Sequence, residues 1–192
     1  MDTLRLTENT KDLDSLKNEA KKNQKNGLPY MMASVFVWTI ILFAQMYGGP
    51  IRQTNFLTFM ASAFMMPLAI IFSRMVKADI FKRTKNPINK LGFLCTMNQN
   101  LYIPLAMWAC TFSPKAMLMI YAVIFSAHLL PFAWIYNCRA YMAASIIETI
   151  GILFLTLFVG NIPAVIFVIA MQIILCICLF VRVRKENRSI ES

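Results

Sequence analysis

Apolar residues in this 192-residue chain gather into six long blocks separated by short polar connectors. A helix rising about 1.5 Å per residue needs about 20 residues to cross a hydrocarbon core of roughly 30 Å. Windows of that kind cover 28–48, 56–73, 91–110, 116–136, 142–159 and 163–181. Backbone polar groups in lipid must be satisfied within the segment, so these runs are read as helices, and they are too long and too uniformly apolar for barrel strands. The pattern predicts an all-α, polytopic membrane protein with six transmembrane helices. A polar N-terminal tail (1–27) precedes the helical domain (28–181), and a basic tail (182–192) follows it.

Local signals support several boundaries. Asn86 before Pro87 and Ser113 before Pro114 have the form of helix starts, and Asn161 with Pro163 does the same after Gly160. The turn before the last helix is therefore short, which makes the fifth and sixth helices antiparallel neighbours. Pro67, Pro104 and Pro131 fall inside blocks and predict kinks.

Composition agrees with the pattern: 58% of residues are hydrophobic and only 15% charged, more apolar surface than a soluble domain of this size buries. The charge distribution then orients the chain. Of the 19 Lys and Arg residues, only Arg52 and Lys115 lie in the connectors of one side. The rest lie before the first block, in the connector after the second, at Arg139, or in the C-terminal tail. The positive-inside bias puts both termini in the cytoplasm. The net charge of +10 is thus explained by membrane flanks and attraction to anionic headgroups, and implies no nucleic-acid partner. Ile80 and Phe81, within the basic connector, raise the expectation of a short interfacial helix.

Residues 1–27 mix acidic and basic side chains with Leu4, Leu6, Leu13 and Leu16. They lack the apolar core of a signal peptide. They read as a tail that becomes ordered, helical from Lys11 to Lys22, only against the membrane or a protein partner. Tyr47 and Trp108 are expected in an outer aromatic belt, and Trp134, Tyr136 and Tyr141 in an inner one. Five cysteines, an odd number with one toward the outer face, imply no disulfide framework.

Within the predicted spans the only acidic residue is Glu148 and the only histidine is His128. Ionisable groups in a membrane are expensive and are functional candidates by default. His128 precedes Arg139 by eleven residues and Glu148 follows it by nine, so a helical hairpin sets the two within roughly 3 Å in depth. Asn98, Gln99, Asn100 and Gln172 fall in the same layer. Depth is fixed by this count; facing is not. The layer supports two readings: a hydrogen-bonded belt that fixes helix packing, and a proton- or substrate-handling site.

A local similarity links the second and fourth blocks: SAFMMPLAIIF at 62–72 and SAHLLPFAWIY at 126–136, with Phe64 and His128 in equivalent positions. No catalytic signature is present: there is no HExxH, GxSxG or Walker loop, and no Cys/His cluster at metal-ligand spacing. The fourteen methionines, Met65, Met66, Met117 and Met119 among them, read as adaptable packing before soft-metal ligands. The expectation is a non-enzyme without metal or cofactor, and no oligomeric state follows.

Three stretches, GLPYMMASVFVW (27–38), KLGFLCTMNQNLYIPLAMW (90–108) and YAVIFSAHLLPFAWIY (121–136), resemble a bacterial multi-pass membrane family of similar length that is a domain of unknown function. The resemblance implies a bacterial cytoplasmic (inner) membrane protein and brings no activity or site residues. Two functions stay open: small-solute or proton-coupled transport through the polar layer, and a regulatory or scaffolding membrane subunit that meets its partner through the N-terminal tail.

Overall fold

The computed structural model describes residues 2–79 and 85–191, and the side chains of all of these except 2–11, 187 and 189–191. The connector positions Ile80 and Phe81 lie outside the described residues. Ten α-helices follow in order: α1 (Asp2–Gln24), α2 (Leu28–Met46), α3 (Ile51–Ala63), α4 (Met65–Met75), α5 (Pro87–Leu101), α6 (Ile103–Phe112), α7 (Met117–Ala127), α8 (Leu130–Ile135), α9 (Arg139–Phe158) and α10 (Asn161–Glu191). No strand occurs among the described residues. Among the described residues, five stretches are long and apolar enough to cross a membrane: Asp12–Met46, Ile51–Met75, Met117–Ile135, Arg139–Phe158 and Asn161–Glu186. They correspond to five of the six apolar blocks. The remaining block, 91–110, is also helical, as α5 and α6, but is not among the five. Three adjacent amides, Asn98, Gln99 and Asn100, dilute its apolar character at mid-length, and the helix is interrupted at Tyr102.

Proline explains why three blocks are each two helices. A proline lacks the N–H for the bond to residue i−4 and its ring clashes with that carbonyl. The chain breaks at Phe64, Tyr102 and His128–Leu129, two or three residues before Pro67, Pro104 and Pro131. At each break the backbone tightens to i→i−3 bonds: Phe64 N–H to Ala61 O at 3.1 Å, Tyr102 N–H to Gln99 O at 3.1 Å, and Leu129 N–H to Ser126 O at 3.2 Å. The carbonyl of Ala127, the i−4 group of Pro131, takes a long 3.5 Å contact from the Ser145 hydroxyl of α9. The similar segments 62–72 and 126–136 share this break at equivalent positions.

Helix starts divide in the same way. Asn86 caps α5, its side chain accepting from Ile88 N–H at 2.9 Å, and α10 begins at Asn161. Ser113 does not cap a helix. Pro114 to Ala116 form a turn and α7 starts at Met117, while the Pro114 carbonyl accepts from Asn55 Nδ2 at 2.9 Å. That bond ties α3 to the turn between α6 and α7.

Around α2 the bundle closes on α3, α4 and α10, while α9 packs on α7, α8 and α10. Gly151 lets Phe167 of α10 lie directly against the α9 backbone, where a Cβ would collide with the ring. Buried side chains form two main apolar clusters. One includes Leu28, Met31, Leu129, Tyr141, Leu175 and Leu179; the other includes Val37, Trp38, Phe125, Ile152, Val165 and Val168.

The N-terminal segment departs from the expectation of a tail ordered only by a partner. It is helical from Asp2, and its Leu13, Leu16 and Ala20 pack on the cluster at the end of the bundle that carries Arg139 and Arg182. The apolar side chains of its second half are thus covered by the chain's own core. Three successive left-handed residues, Lys25 (φ 48), Asn26 (φ 55) and Gly27 (φ 75), turn the chain between α1 and α2 and lay α1 against α5 and α8. The turn is held from below. Tyr141 Oη donates to Asn26 O at 2.7 Å and Tyr136 Oη donates to Gln24 Oε1 at 2.6 Å. Asn26 Nδ2 donates to Glu186 of α10 at 3.2 Å, and Glu186 also pairs with Lys21 and Arg182. Tyr136 and Tyr141 are therefore not belt residues: both are buried, whereas Tyr47, Trp108 and Trp134 are exposed. Their hydroxyls were drawn inward because the left-handed turn leaves backbone and amide acceptors that need donors. Trp134 faces Lys17, whose ammonium sits 3.4 Å from the ring centroid.

A Cβ on Gly27 would lie 2.8 Å from Tyr141 Oη at a backbone conformation few side chains adopt, whereas one on the equally left-handed Gly48 meets nothing closer than 3.9 Å. Gly27→Ala is expected to cost about 1–3 kcal/mol and to loosen α1. Thermal unfolding in detergent should show a lowered midpoint with faster trypsin cleavage at Lys21 and Lys22, and Gly48→Ala a smaller change. Equal effects of the two substitutions would refute the clamp.

Candidate functional site

Glu148 projects from α9 into the middle of the bundle and is fully buried. Removing a carboxylate from water is costly unless other groups replace its hydration. Two do so here: Ser126 Oγ of α7 stands 3.0 Å from Oε2, and Gln172 Nε2 of α10 donates to Oε1 at 2.8 Å. The amide of Gln172 is in turn fixed from its other end, its Oε1 lying 2.9 Å from the Ser34 hydroxyl of α2. All four side chains are buried. Among the described residues no lysine, arginine or histidine forms an ion pair with Glu148.

Each hydroxyl in this quartet has a second acceptor on its own helix: Ser126 Oγ lies 3.0 Å from Ala122 O, and Ser34 Oγ lies 2.7 Å from Met31 O. A serine has one proton to give, so each chooses between a backbone carbonyl and the neighbouring side chain. The quartet also marks a boundary in the core. Met31 and Val37 flank Ser34, Phe125 and Leu129 flank Ser126, Ala144 and Ile152 flank Glu148, and Val168 and Leu175 flank Gln172. In each case one flanking residue belongs to each apolar cluster. Four helices thus contribute one polar side chain each to a single layer, with apolar packing on both sides.

The sequence-derived layer is gathered only in part. Glu148 and Gln172 meet. His128 does not reach Glu148: its Nδ1 lies 2.7 Å from Phe125 O, which makes that nitrogen the protonated one, and its ring lies between Phe125 and Phe132 at centroid distances of 5.8 and 5.5 Å. Ser126 and His128 are two residues apart, roughly 200° around a helix, so turning Ser126 toward Glu148 turns the imidazole away. Asn98 and Asn100 are exposed and Gln99 is half-buried on α5, and none of them bonds to Glu148 or Gln172. Ser34 and Ser126 complete the layer in their place. Their signal in the sequence was weak, because a serine in an apolar helix usually bonds its own backbone. The usable clue was depth, since both sit at the level of Glu148. No three His, Cys, Asp or Glu residues among the described ones stand close enough to hold a metal ion.

The chain belongs to the family of unknown function DUF7010, whose model matches residues 13–182. The match includes α2, α7, α9 and α10 as far as Arg182, and with them all four members of the quartet. No curated protein and no solved structure matches the chain.

If Gln172 supplies the donor that makes Glu148 tolerable, Gln172→Leu should destabilise the protein by about 1–3 kcal/mol, the cost of leaving a buried polar group short of a partner. Glu148→Gln keeps an acceptor for Gln172 and turns a donor toward Ser126, whose own proton can go to Ala122 O, and should cost less. Unfolding by denaturant in mixed micelles measures both. A Gln172→Leu protein as stable as wild type would show that the carboxyl finds other solvation.

Proposed function

We propose that this protein is a non-enzymatic, six-span component of the bacterial cytoplasmic membrane, with both termini in the cytoplasm, and that Glu148 is the proton-exchanging group of a small-solute or proton-coupled transport site. The topology is supported by the charge partition: Arg52 and Lys115 stand alone on one side, and every other basic residue flanks the opposite ends of the helices. In this reading α5 and α6 together are the third span, and the five helices long and apolar enough to cross supply the others.

The observation that carries the proton role is a fully buried carboxyl whose hydrogen-bonded side-chain partners, Ser126 and Gln172, are both neutral. Such a group holds or releases a proton without breaking an ion pair. The hydrogen count fits either state. As a carboxylate, Glu148 accepts from Ser126 and Gln172. As an acid it donates to Ser126, whose own proton then turns to Ala122 O, 3.0 Å away. Neither state strands a polar atom. The helix break at His128–Leu129 begins two residues after Ser126, and interrupted helices beside midplane polar groups are how transporters assemble binding sites. The regulatory-subunit reading draws less support, because Leu13, Leu16 and Ala20 of α1 pack on the chain's own core.

Purified protein in proteoliposomes, screened against a broad set of solutes and ions, should show a pH-dependent flux that Glu148→Gln abolishes while insertion and folding persist. A folded wild-type protein that moves nothing across the whole screen would overturn the proposal.

A further inference from the structure

Asn98 and Asn100 are the exposed amide side chains found inside any predicted span among the described residues; away from the span ends the other exposed positions are apolar or small except Tyr102. They sit on α5, whose main packing partners are α1, α6 and α8. The outward face of α5 and α6 has a regular seam. Leu91, Leu94, Asn98, Leu101, Leu105 and Trp108 recur at alternating spacings of three and four, and all six are exposed, Leu101 by 75% and Trp108 by 54%. Over α5, from Leu91 to Leu101, this is the a/d repeat of a two-helix contact with the asparagine at an a position, and Leu105 and Trp108 continue the spacing past the break at Tyr102. The exposed faces of α9 and α10 have no such polar member: theirs are isoleucines, leucines and phenylalanines suited to lipid.

We propose that this seam is the interface of a parallel homodimer, in which Asn98 of one copy hydrogen-bonds Asn98 of the other. An exposed amide at mid-membrane depth lacks both water and a protein partner, and lipid offers neither donor nor acceptor. Its complement must carry a donor and an acceptor together, and a second amide does. All copies of one chain insert with the same orientation, so two α5 helices meet in parallel and a two-fold axis brings identical residues face to face at one depth. An asparagine at a single a position is the device that fixes register and a two-stranded state in paired helices. Asn100, two residues on and roughly 200° around the helix, is exposed too but lies outside the seam, so substituting it separates pairing at the seam from the exposure of an amide as such. The inference rests on α5 and α6 crossing the membrane and is independent of the role given to Glu148.

Single cysteines placed at 94, 98 and 101 in the full chain, with the five native cysteines (Cys95, Cys110, Cys138, Cys176 and Cys178) replaced by Ala, should form disulfide-linked dimers on mild oxidation in lipid vesicles. Cysteines at 97 and 100 should not. Asn98→Leu should raise the dimer dissociation constant in the bilayer about tenfold, as expected for one interhelical amide pair, and Asn100→Leu should leave it unchanged. Single-molecule photobleaching counts the copies without a mutation. One copy per complex in the wild type, equal cross-linking at 98 and 100, or equal effects of the two leucine substitutions would each overturn the dimer. Labelling of the cysteine at 98 by a water-soluble maleimide would instead show that α5 does not lie in the membrane, removing the premise rather than the pairing.

Discussion

The arrangement of the bundle depends on how one carboxyl group is kept away from water. Glu148 is fully buried and has neutral hydrogen-bond partners, so its solvation comes from donors fixed in place by other helices. Ser126 comes from α7, Gln172 from α10, and Ser34 holds the amide of Gln172 from α2. Apolar side chains alone would let these helices slide or rotate with little penalty in lipid, which is as apolar as they are. A hydrogen-bonded layer between two apolar clusters removes that freedom: shifting any of the four helices strands a polar group. The register of α2, α7, α9 and α10 is set at this level.

The same physics accounts for the broken helices. Pro67, Pro104 and Pro131 each end one helix and begin another, and the freed backbone groups are managed by short i→i−3 turns. At Pro131 the Ser145 hydroxyl approaches the freed Ala127 carbonyl from α9. This break lies next to Ser126, so the most constrained polar contact and an interruption of the backbone sit side by side. A hydrogen-bonded layer beside a break in the helix couples the two in space, which is the structural content of the transport proposal.

At the basic end a second polar construction does different work. The left-handed run Lys25, Asn26 and Gly27 folds α1 back, and two buried tyrosines, Arg182 and Glu186 hold that turn. Tyr136 and Tyr141 illustrate why belt residues cannot be assigned from position alone. An aromatic ring with a hydroxyl suits a headgroup boundary and also suits a buried site with an acceptor, and the choice falls to whichever acceptor the fold provides.

Much of this was legible in the chain. The six apolar blocks lie on helices because lipid-length apolar runs admit little else, and Asn86, Gly160 with Asn161, and the three prolines marked starts and breaks through constraints that are local to the backbone. Depth was legible too, since counting from the basic ends of the helices placed Glu148 and Gln172 in one layer. Facing was not. Which side of α7 turns inward depends on packing against α9 and α10, and the answer, Ser126 rather than His128, differs by two residues that share a depth. The amides of α5 were likewise at the right level but on a peripheral helix. Ser113 failed as a cap because a tertiary bond from Asn55 to Pro114 shaped the turn instead. The sequence by itself determined the elements and their depth, because hydrophobicity and backbone constraint act along one chain. The tertiary structure alone decided which polar groups meet, because a hydrogen bond depends on the azimuth of two helices at once.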